Sequence, residues 1–170
     1  PCQLLADLQT FFEHRGDIRG ACVAFLGDGS SNVCQSWVEA AAMMGFELRV
    51  GAPEGYHPHP DLLAAANKHC TIITQPQEAV IGADLVITDT WAGMGQEEEK
   101  VQRLAALSDF QVNESLMAMA SQEALFMHCL PAYRGQEVSA EVLEGPQSVV
   151  WDEAENRLHA QKALIEMLMG

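Results

Sequence analysis

Basic residues are scarce in this sequence. Its 170 residues include 9 lysines and arginines against 24 aspartates and glutamates, which gives a formal net charge of −15. Binding to a nucleic-acid backbone requires clustered Lys and Arg side chains that neutralise phosphates. The composition therefore excludes nucleic acid as a partner, and we interpret the acidity as a contribution to solubility.

Membrane-spanning and targeting segments are also missing. No apolar run reaches the roughly 20 residues that cross a bilayer, and the first residues lack the basic and apolar regions of a signal peptide. The five cysteines are odd in number, irregularly spaced and without a Cys-x-x-Cys pair. This pattern argues against disulfides and zinc, and it predicts a cytoplasmic protein with free thiols.

Two further features concern metal ions and chain length. His57, His59, His69 and Cys70 are metal ligands by residue type, but the first two lie in a proline-rich segment typical of a rigid loop. We therefore expect neither a metal ion nor a cofactor. The sequence has no initiator Met and opens inside a helical pattern, so we expect it to be part of a longer protein.

Short apolar runs alternate with helical patterns along the chain. The runs are nearly continuous in apolar character, which is typical of strands covered by helices on both faces. The β-α-β-α order predicts a single α/β domain, with a doubly wound parallel sheet in a Rossmann-like three-layer α/β/α arrangement. The predicted strands are 21–26, 46–50, 70–74, 84–88, 125–129 and 148–151, and the predicted helices are 3–14, 32–44, 60–69, 96–107, 113–121, 137–143 and 153–169.

Ligands of such sheets bind beyond the carboxyl ends of the strands, here at loops 27–31, 90–95 and 130–135. The first loop, GDGSSN at 27–32, opens a helix whose free N–H groups favour an anion. It resembles a dinucleotide-binding turn, but Asn32 replaces the third glycine and no ribose-binding acid ends the next strand. A smaller anion such as an amino-acid carboxylate fits better, and a plain strand-to-helix turn is the alternative.

The second loop begins with Asp89, at the carboxyl end of a predicted strand. A carboxylate in this position suits a substrate ammonium group, and the alternative role is a turn cap. Gly93 and Gly95 flank Met94, and these glycines favour a loop that closes over a ligand.

The third motif is His128-Cys129-Leu130-Pro131, at the end of another predicted strand. Pro131 terminates the strand and favours a cis bond that exposes the preceding carbonyls. We interpret His128 as a satisfied core histidine. In the last predicted helix, Arg157 is a candidate for phosphate pairing, and the alternative is an intrahelical pair with Glu153.

Together these segments resemble the ornithine carbamoyltransferases over the whole chain. The likeness rests on ordered motifs: Pro1-Cys2-Gln3, GDG at 27–29 with Asn32, residues 89–95, His128-Cys129-Leu130-Pro131 and EAENR at 153–157. The resemblance implies a trimeric, cytoplasmic enzyme of amino-acid metabolism and arginine biosynthesis. Such an enzyme transfers the carbamoyl group of carbamoyl phosphate to the side-chain amine of L-ornithine and produces citrulline and phosphate.

The same resemblance implies roles for individual residues. Asp89 and Cys129 correspond to residues at the reacting amine. The residues that correspond to the ornithine site are Asn32, Asp89, Gly93 and Met94. Those that correspond to the carbamoyl phosphate site are Pro1, Cys2, Gln3, Cys129, Leu130 and Arg157.

This chain departs from the family pattern at three points. Gly93 stands in place of a serine, Ser31 in place of the first of two asparagines, and a Ser-x-Arg-Thr phosphate motif is absent. That motif belongs to an amino-terminal domain in the family. We therefore expect residues 1–170 to be the ornithine-binding domain, linked to the other domain by helices 3–14 and 153–169, and to fold without turning over by itself.

Three alternatives stay open. The substitution at Gly93 motivates a carbamoyltransferase for a related amine, such as putrescine or a modified ornithine. The loop at 27–32 motivates a dinucleotide-binding domain. The third alternative is a non-catalytic binding module.

Overall fold

A computed structural model describes residues 1–91 and 100–170. Five parallel strands form its central sheet, in the order β3-β2-β1-β4-β5. The strands are β1 (Cys22–Leu26), β2 (Glu47–Gly51), β3 (Cys70–Ile73), β4 (Leu85–Thr88) and β5 (Leu125–His128). The helices are α1 (Cys2–Arg15), α2 (Asn32–Met44), α3 (Pro60–Ala66), α4 (Pro76–Val80), α5 (Lys100–Leu107), α6 (Glu114–Met117), α7 (Ala140–Leu143) and α8 (Val150–Met169).

Both faces of the sheet are buried. Along β1, Val23 and Phe25 pack into one core with α1 and α2, while Ala24 and Leu26 pack into a second core with α4, α6 and α7. This alternation follows from the two-residue period of a strand, and a strand covered on both sides must be apolar throughout. The predicted doubly wound α/β class is confirmed.

The predicted sixth strand, 148–151, is wrong. Ser148 makes only an isolated bridge to Phe126, and α8 begins at Val150 rather than at 153. Val150 is fully buried in the core beneath the sheet. A four-residue apolar run is compatible with either a strand or the first turn of a buried helix.

Other predicted helices differ from the observed ones mainly in length. The helix predicted at 60–69 is α-helical to Ala66 and continues as a 3₁₀ turn over Asn67–His69. The helices predicted at 113–121 and 137–143 shorten to α6 and α7, which begin after the side-chain caps Asn113 and Ser139. Helix α4 was not predicted because it has only five residues. Of the helix predicted at 96–107, the first four residues lie outside the described ranges.

Helices α1 and α8 lie side by side next to β5. The Asn156 amide of α8 donates to the Thr10 hydroxyl (2.9 Å) and to the Glu13 carboxylate (2.8 Å) of α1. The two ends of the chain are therefore joined by polar contacts. Within ranges 1–91 and 100–170, no helix is long and apolar enough to cross a membrane.

Candidate active site

The carboxyl ends of three neighbouring strands form the base of the candidate site. In the sheet register, Leu26 of β1 pairs with Thr88 of β4, and Thr88 pairs with His128 of β5. The residues that follow these strands are thus adjacent. This edge, between β1 and β4, is also where the strand order reverses, the usual ligand crevice of such sheets.

An open pocket of about 400 Å³ lies above this edge. It is lined by Pro1, Cys2, Gln3, Asn32, Val33, Asp89, Cys129, Leu130 and Arg157. Sequence reasoning selected ten substrate-contacting residues, of which Gly93 and Met94 lie outside the described ranges. The other eight all line this pocket, so helices α1, α2 and α8 and the ends of β4 and β5 converge as predicted. Their individual roles stay predictions.

Asp89 and Cys129 face each other across the pocket floor. The Cys129 thiol donates to Asp89 Oδ1 at 3.1 Å, and the Thr90 backbone N–H donates to the same oxygen at 2.7 Å. Desolvation raises the pKa of the Cys129 thiol well above its ordinary value, and the nearby Asp89 charge adds to the shift. The thiol is therefore protonated at neutral pH and acts here as a hydrogen-bond donor rather than a nucleophile.

The loop after β1 brings Asn32 to the pocket. Ser31 caps α2 by accepting a hydrogen bond from the Cys34 N–H (3.1 Å), which leaves the exposed Asn32 side chain at the rim. A Cβ on Gly29 would lie 2.7 Å from the Tyr56 carbonyl oxygen and 2.9 Å from the Pro58 ring. The side of Gly29 that a dinucleotide pyrophosphate would approach is thus occupied, which argues against a dinucleotide site.

Arg103 of α5 supports this loop from behind. Its guanidinium pairs with the buried Asp28 carboxylate, and its Nε donates to the Trp91 carbonyl at 2.7 Å. The guanidinium also lies 5.3 Å from the centroid of the Tyr56 ring. One side chain therefore connects the loops that follow β1, β2 and β4.

The turn after β5 has an unusual backbone. The Leu130–Pro131 bond is cis, as predicted, and Leu130 has a positive φ of 48°. Because that region is unfavourable for a side chain with a Cβ, it needs support, and the Leu130 N–H donates to His128 Nδ1 at 2.9 Å. His128 Nε2 then carries the proton and faces buried Glu137 at 3.3 Å. His128 is thus a satisfied core histidine, as predicted.

Gln3 and Arg157 form the opposite wall of the pocket. Arg157 donates from one terminal nitrogen to Gln3 Oε1 at 2.6 Å, not to Glu153, so the alternative of an intrahelical pair is wrong. The buried Arg157 Nε has no hydrogen-bond partner within the described part of the chain. Arg157 also lines the pocket, and a guanidinium in a pocket wall is suited to an anionic ligand.

Sequence reasoning missed three groups that support the pocket. The first is the pair Asp28 and Arg103, and the second is Asp7, which lies under the pocket wall with only 2% exposure. The third is Glu153, also 2% exposed, whose position in the first turn of α8 favoured a solvent-exposed role in matching the helix dipole. A signal for Asp7 was available, because it falls on the same helical face as buried Ala6 and Thr10.

The chain is similar to known proteins of one family. Residues 19–168 match the family model described as "Aspartate/ornithine carbamoyltransferase, Asp/Orn binding domain". The chain is 63% identical to the ornithine carbamoyltransferase of Nitrosococcus oceani over 169 residues, which is 99% of this chain and 55% of that protein. It is likewise 63% identical to that of Methylococcus capsulatus, with 99% and 56% covered.

Solved structures agree with these relatives. The ornithine carbamoyltransferase of Burkholderia thailandensis superposes with a TM-score of 0.89 at 48% identity, over 99% of this chain and 54% of that one. That of Pyrococcus furiosus superposes with a TM-score of 0.91 at 44% identity, over 97% and 55%. The chain thus spans about half the length of the relatives that it matches.

Proposed function

The chain belongs to the aspartate/ornithine carbamoyltransferase family, and on that basis we propose that it is the ornithine-binding half of an ornithine carbamoyltransferase. The reaction is transfer of the carbamoyl group from carbamoyl phosphate to the side-chain amine of L-ornithine, with citrulline and phosphate as products. The observation that carries the proposal is the pocket itself, where eight predicted residues from five elements meet.

The ornithine end of the site has the right chemistry for an amino acid. Asp89 Oδ1 is already engaged by Thr90 and Cys129, so Oδ2 is the oxygen that binds the substrate amine. Asn32, at the amino terminus of α2, binds the amino-acid end of ornithine. The free N–H groups of that helix terminus add a favourable field for the substrate carboxylate.

The carbamoyl phosphate end lies on the α1 and α8 side. The Arg157 guanidinium, which lines this end of the pocket, pairs with a phosphate oxygen. Pro1, Cys2 and Gln3 close the same end of the pocket, and Cys129 and Leu130 hold the carbamoyl NH2 through their carbonyls. The two substrates then meet above Asp89 and Cys129.

The chemistry requires no covalent intermediate. The neutral amine attacks the carbamoyl carbon, a charged tetrahedral intermediate forms, and the C–O bond to phosphate breaks as the amine nitrogen passes its proton to the departing phosphate. Rate enhancement comes mainly from holding the two reactants in attack geometry and from donors directed at developing charge. Side chains that are fixed by hydrogen bonds, such as Gln3 and Arg157, suit that task.

We also propose that α1 and α8 bind an amino-terminal carbamoyl phosphate domain. Their outer faces expose large apolar side chains: Leu5, Phe12, Trp151, Leu158, Ile165, Met167, Leu168 and Met169. A row of exposed apolar residues of this kind marks an interaction surface. The isolated chain is therefore expected to fold, to self-associate through this face, and to produce no citrulline.

An NMR titration of the chain with L-ornithine tests the substrate assignment, with putrescine and NAD as comparison ligands. Resonances of Asn32 and Asp89 are expected to shift with ornithine. Asp89→Asn should weaken binding at least about tenfold, because a charge-assisted hydrogen bond contributes roughly 1.5–3 kcal/mol. The matched control is Asp61→Asn, at an exposed aspartate on α3, which should leave the affinity unchanged.

The comparison ligands separate the alternatives. A stronger response to putrescine than to ornithine would identify an enzyme for a related amine, in line with Gly93. A response to NAD at 27–32 would contradict the proposal and favour the dinucleotide-binding domain. Ornithine binding that is insensitive to Asp89→Asn would remove Asp89 from the site.

A further inference from the structure

Two buried carboxyl groups lie behind the Gln3 and Arg157 wall of the pocket. Asp7 projects from α1 and Glu153 from α8, and each is 2% exposed. Burying a carboxyl group is costly unless hydrogen bonds replace its hydration. Packing of α1 against α8 does not by itself require carboxyl groups at these positions. Two apolar side chains of similar volume would fill the same space without the desolvation cost.

The hydrogen bonds of this carboxyl pair lead to residues that form the pocket. Gln3 Nε2 donates to Asp7 Oδ1 at 2.7 Å and to Glu153 Oε1 at 2.8 Å. The second oxygen of Glu153 accepts a hydrogen bond from the backbone N–H of His128 at 2.9 Å. The pair therefore joins the start of α1 and the start of α8 to the end of β5.

The contacts determine which end of the Gln3 amide faces the pocket wall. Because both amide hydrogens are directed at carboxyl oxygens, the amide oxygen must point the other way, where it accepts from Arg157 at 2.6 Å. An amide flip would place the Gln3 oxygen against two carboxyl groups and its NH2 against a guanidinium. The contact with the guanidinium would be repulsive, and so would the contact with whichever carboxyl group is ionised, so the orientation is held from two sides.

We propose that Asp7 and Glu153 are positioning residues that orient the Gln3 amide and, through it, the Arg157 guanidinium in the pocket. This inference rests on the proposed function, since it assigns that oriented pair to the carbamoyl phosphate end. Neither carboxyl group is catalytic, because neither lines the pocket. Their contribution is a fixed acceptor at Gln3 Oε1, which holds the Arg157 guanidinium in place.

The two carboxyl groups carry less negative charge than two ionised acids would, because burial raises the pKa of both. Desolvation raises the pKa of Asp7 to about 6, and burial together with the Asp7 charge raises that of Glu153 well above its ordinary value. Because both groups are buried and their charges repel, ionisation of both at once is disfavoured, and the pair favours one shared proton next to Arg157. The other ionisable groups nearby are Cys129, a neutral thiol, and Asp89 across the pocket.

Glu153→Gln is the direct test. Glu153 accepts from the His128 N–H and from Gln3 Nε2 through different oxygens. Glutamine has only one oxygen, so one of these contacts is lost and the new NH2 faces the donor that remains. In ¹⁵N-labelled chain at pH 7, the side-chain amide protons of Gln3 should move upfield and exchange faster in this variant. Asp7→Asn should do the same, and it is the second variant if Glu153→Gln does not fold.

The matched control is Glu155→Gln, at an exposed position on the same helix, which should leave the Gln3 amide unchanged. Unchanged Gln3 amide signals in both Glu153→Gln and Asp7→Asn, or equal shifts in all three variants, would overturn the inference. This part of the experiment needs no substrate and is independent of the proposed function.

A titration with inorganic phosphate, followed by the guanidinium resonances of Arg157, tests the consequence. Glu153→Gln should weaken phosphate binding about tenfold, the effect of misorienting one charge-assisted hydrogen bond, while its melting temperature is no lower than wild type. Equal affinities in variant and wild type would overturn the positioning role. If phosphate binds away from Arg157, or does not bind to the wild-type chain, the result would instead contradict the proposed carbamoyl phosphate end of the pocket.

Discussion

The two sides of the pocket are supported by buried charges of different kinds. On the ornithine side, Arg103 and Asp28 form an ion pair of opposite charges whose side chains are 15% and 8% exposed. On the carbamoyl phosphate side, Asp7 and Glu153 are two buried acids rather than an acid and a base. Both supports fix loops or side chains that line the pocket, but they respond differently to substitution and to pH.

The difference follows from elementary electrostatics. An ion pair of opposite charges is stabilised by ionisation, so loss of one partner leaves an uncompensated buried charge. Two carboxyl groups are stabilised by sharing a proton, so loss of one charge relieves repulsion. The stability that the Arg103–Asp28 pair contributes is therefore expected to be sensitive to mutation. The stability that Asp7 and Glu153 contribute is expected to be sensitive to alkaline pH.

Arg103→Met should have the largest effect on stability. It leaves the Asp28 carboxylate buried without a cation, at a cost of about 3–5 kcal/mol in the free energy of unfolding, as measured by urea denaturation. The double variant Arg103→Met with Asp28→Asn should recover much of that loss, because the stranded charge is removed.

Arg19→Ala is the control for this comparison. Arg19 pairs with Asp17, but both side chains are well exposed, and exposed pairs contribute little to stability. Its unfolding curve should nearly overlay that of wild type. Similar losses in the Arg103 and Arg19 variants would show that burial of the Asp28 pair is not what matters.

Glu153→Gln should change the pH dependence of stability. The folded chain keeps the Glu153 proton above pH 4.5, where the unfolded chain releases it, so wild-type stability falls as the pH rises from about 4.5 towards the raised pKa. The slope within that window reaches about 1.4 kcal/mol per pH unit. The variant lacks this slope, so it should gain stability over wild type with increasing pH.

Urea unfolding at a series of pH values from 4 to 9 measures this difference. Glu155→Gln, on the exposed side of α8, should remain parallel to wild type throughout. If the curves of Glu153→Gln and wild type are also parallel, the carboxyl pair does not hold a proton that the unfolded chain releases.

The same contrast shows what sequence reasoning can reach. The site residues at strand ends were predictable, because alternating strands and helices determine which loops meet at one edge. Asp89 follows directly from that rule and does line the pocket, whereas Cys129, which also lines it, was included through the family resemblance. The N-terminal and C-terminal segments were included through motifs rather than through topology.

Contacts between distant segments were not predictable. Glu153 lies four residues before Arg157, a spacing that favours an exposed intrahelical pair, yet α1 packs over it and turns it into a buried partner of Gln3. The apolar run 148–151 failed as a strand for a similar reason, since Val150 is buried by packing below the sheet. The local sequence pattern determines neither which helix packs against a residue nor which groups its side chain contacts.

Tyr56→Leu should have the smallest effect and refines the description of the Arg103 support. The variant removes the aromatic face that lies 5.3 Å from the guanidinium but leaves the ion pair to Asp28 in place. A cation–π contact of a partly exposed residue contributes about 0.5–1 kcal/mol, so the free energy of unfolding should fall by that amount. Tyr56→Phe keeps the ring and should match wild type. A loss as large as that of Arg103→Met would mean that the aromatic ring, rather than the ion pair, holds the three loops together.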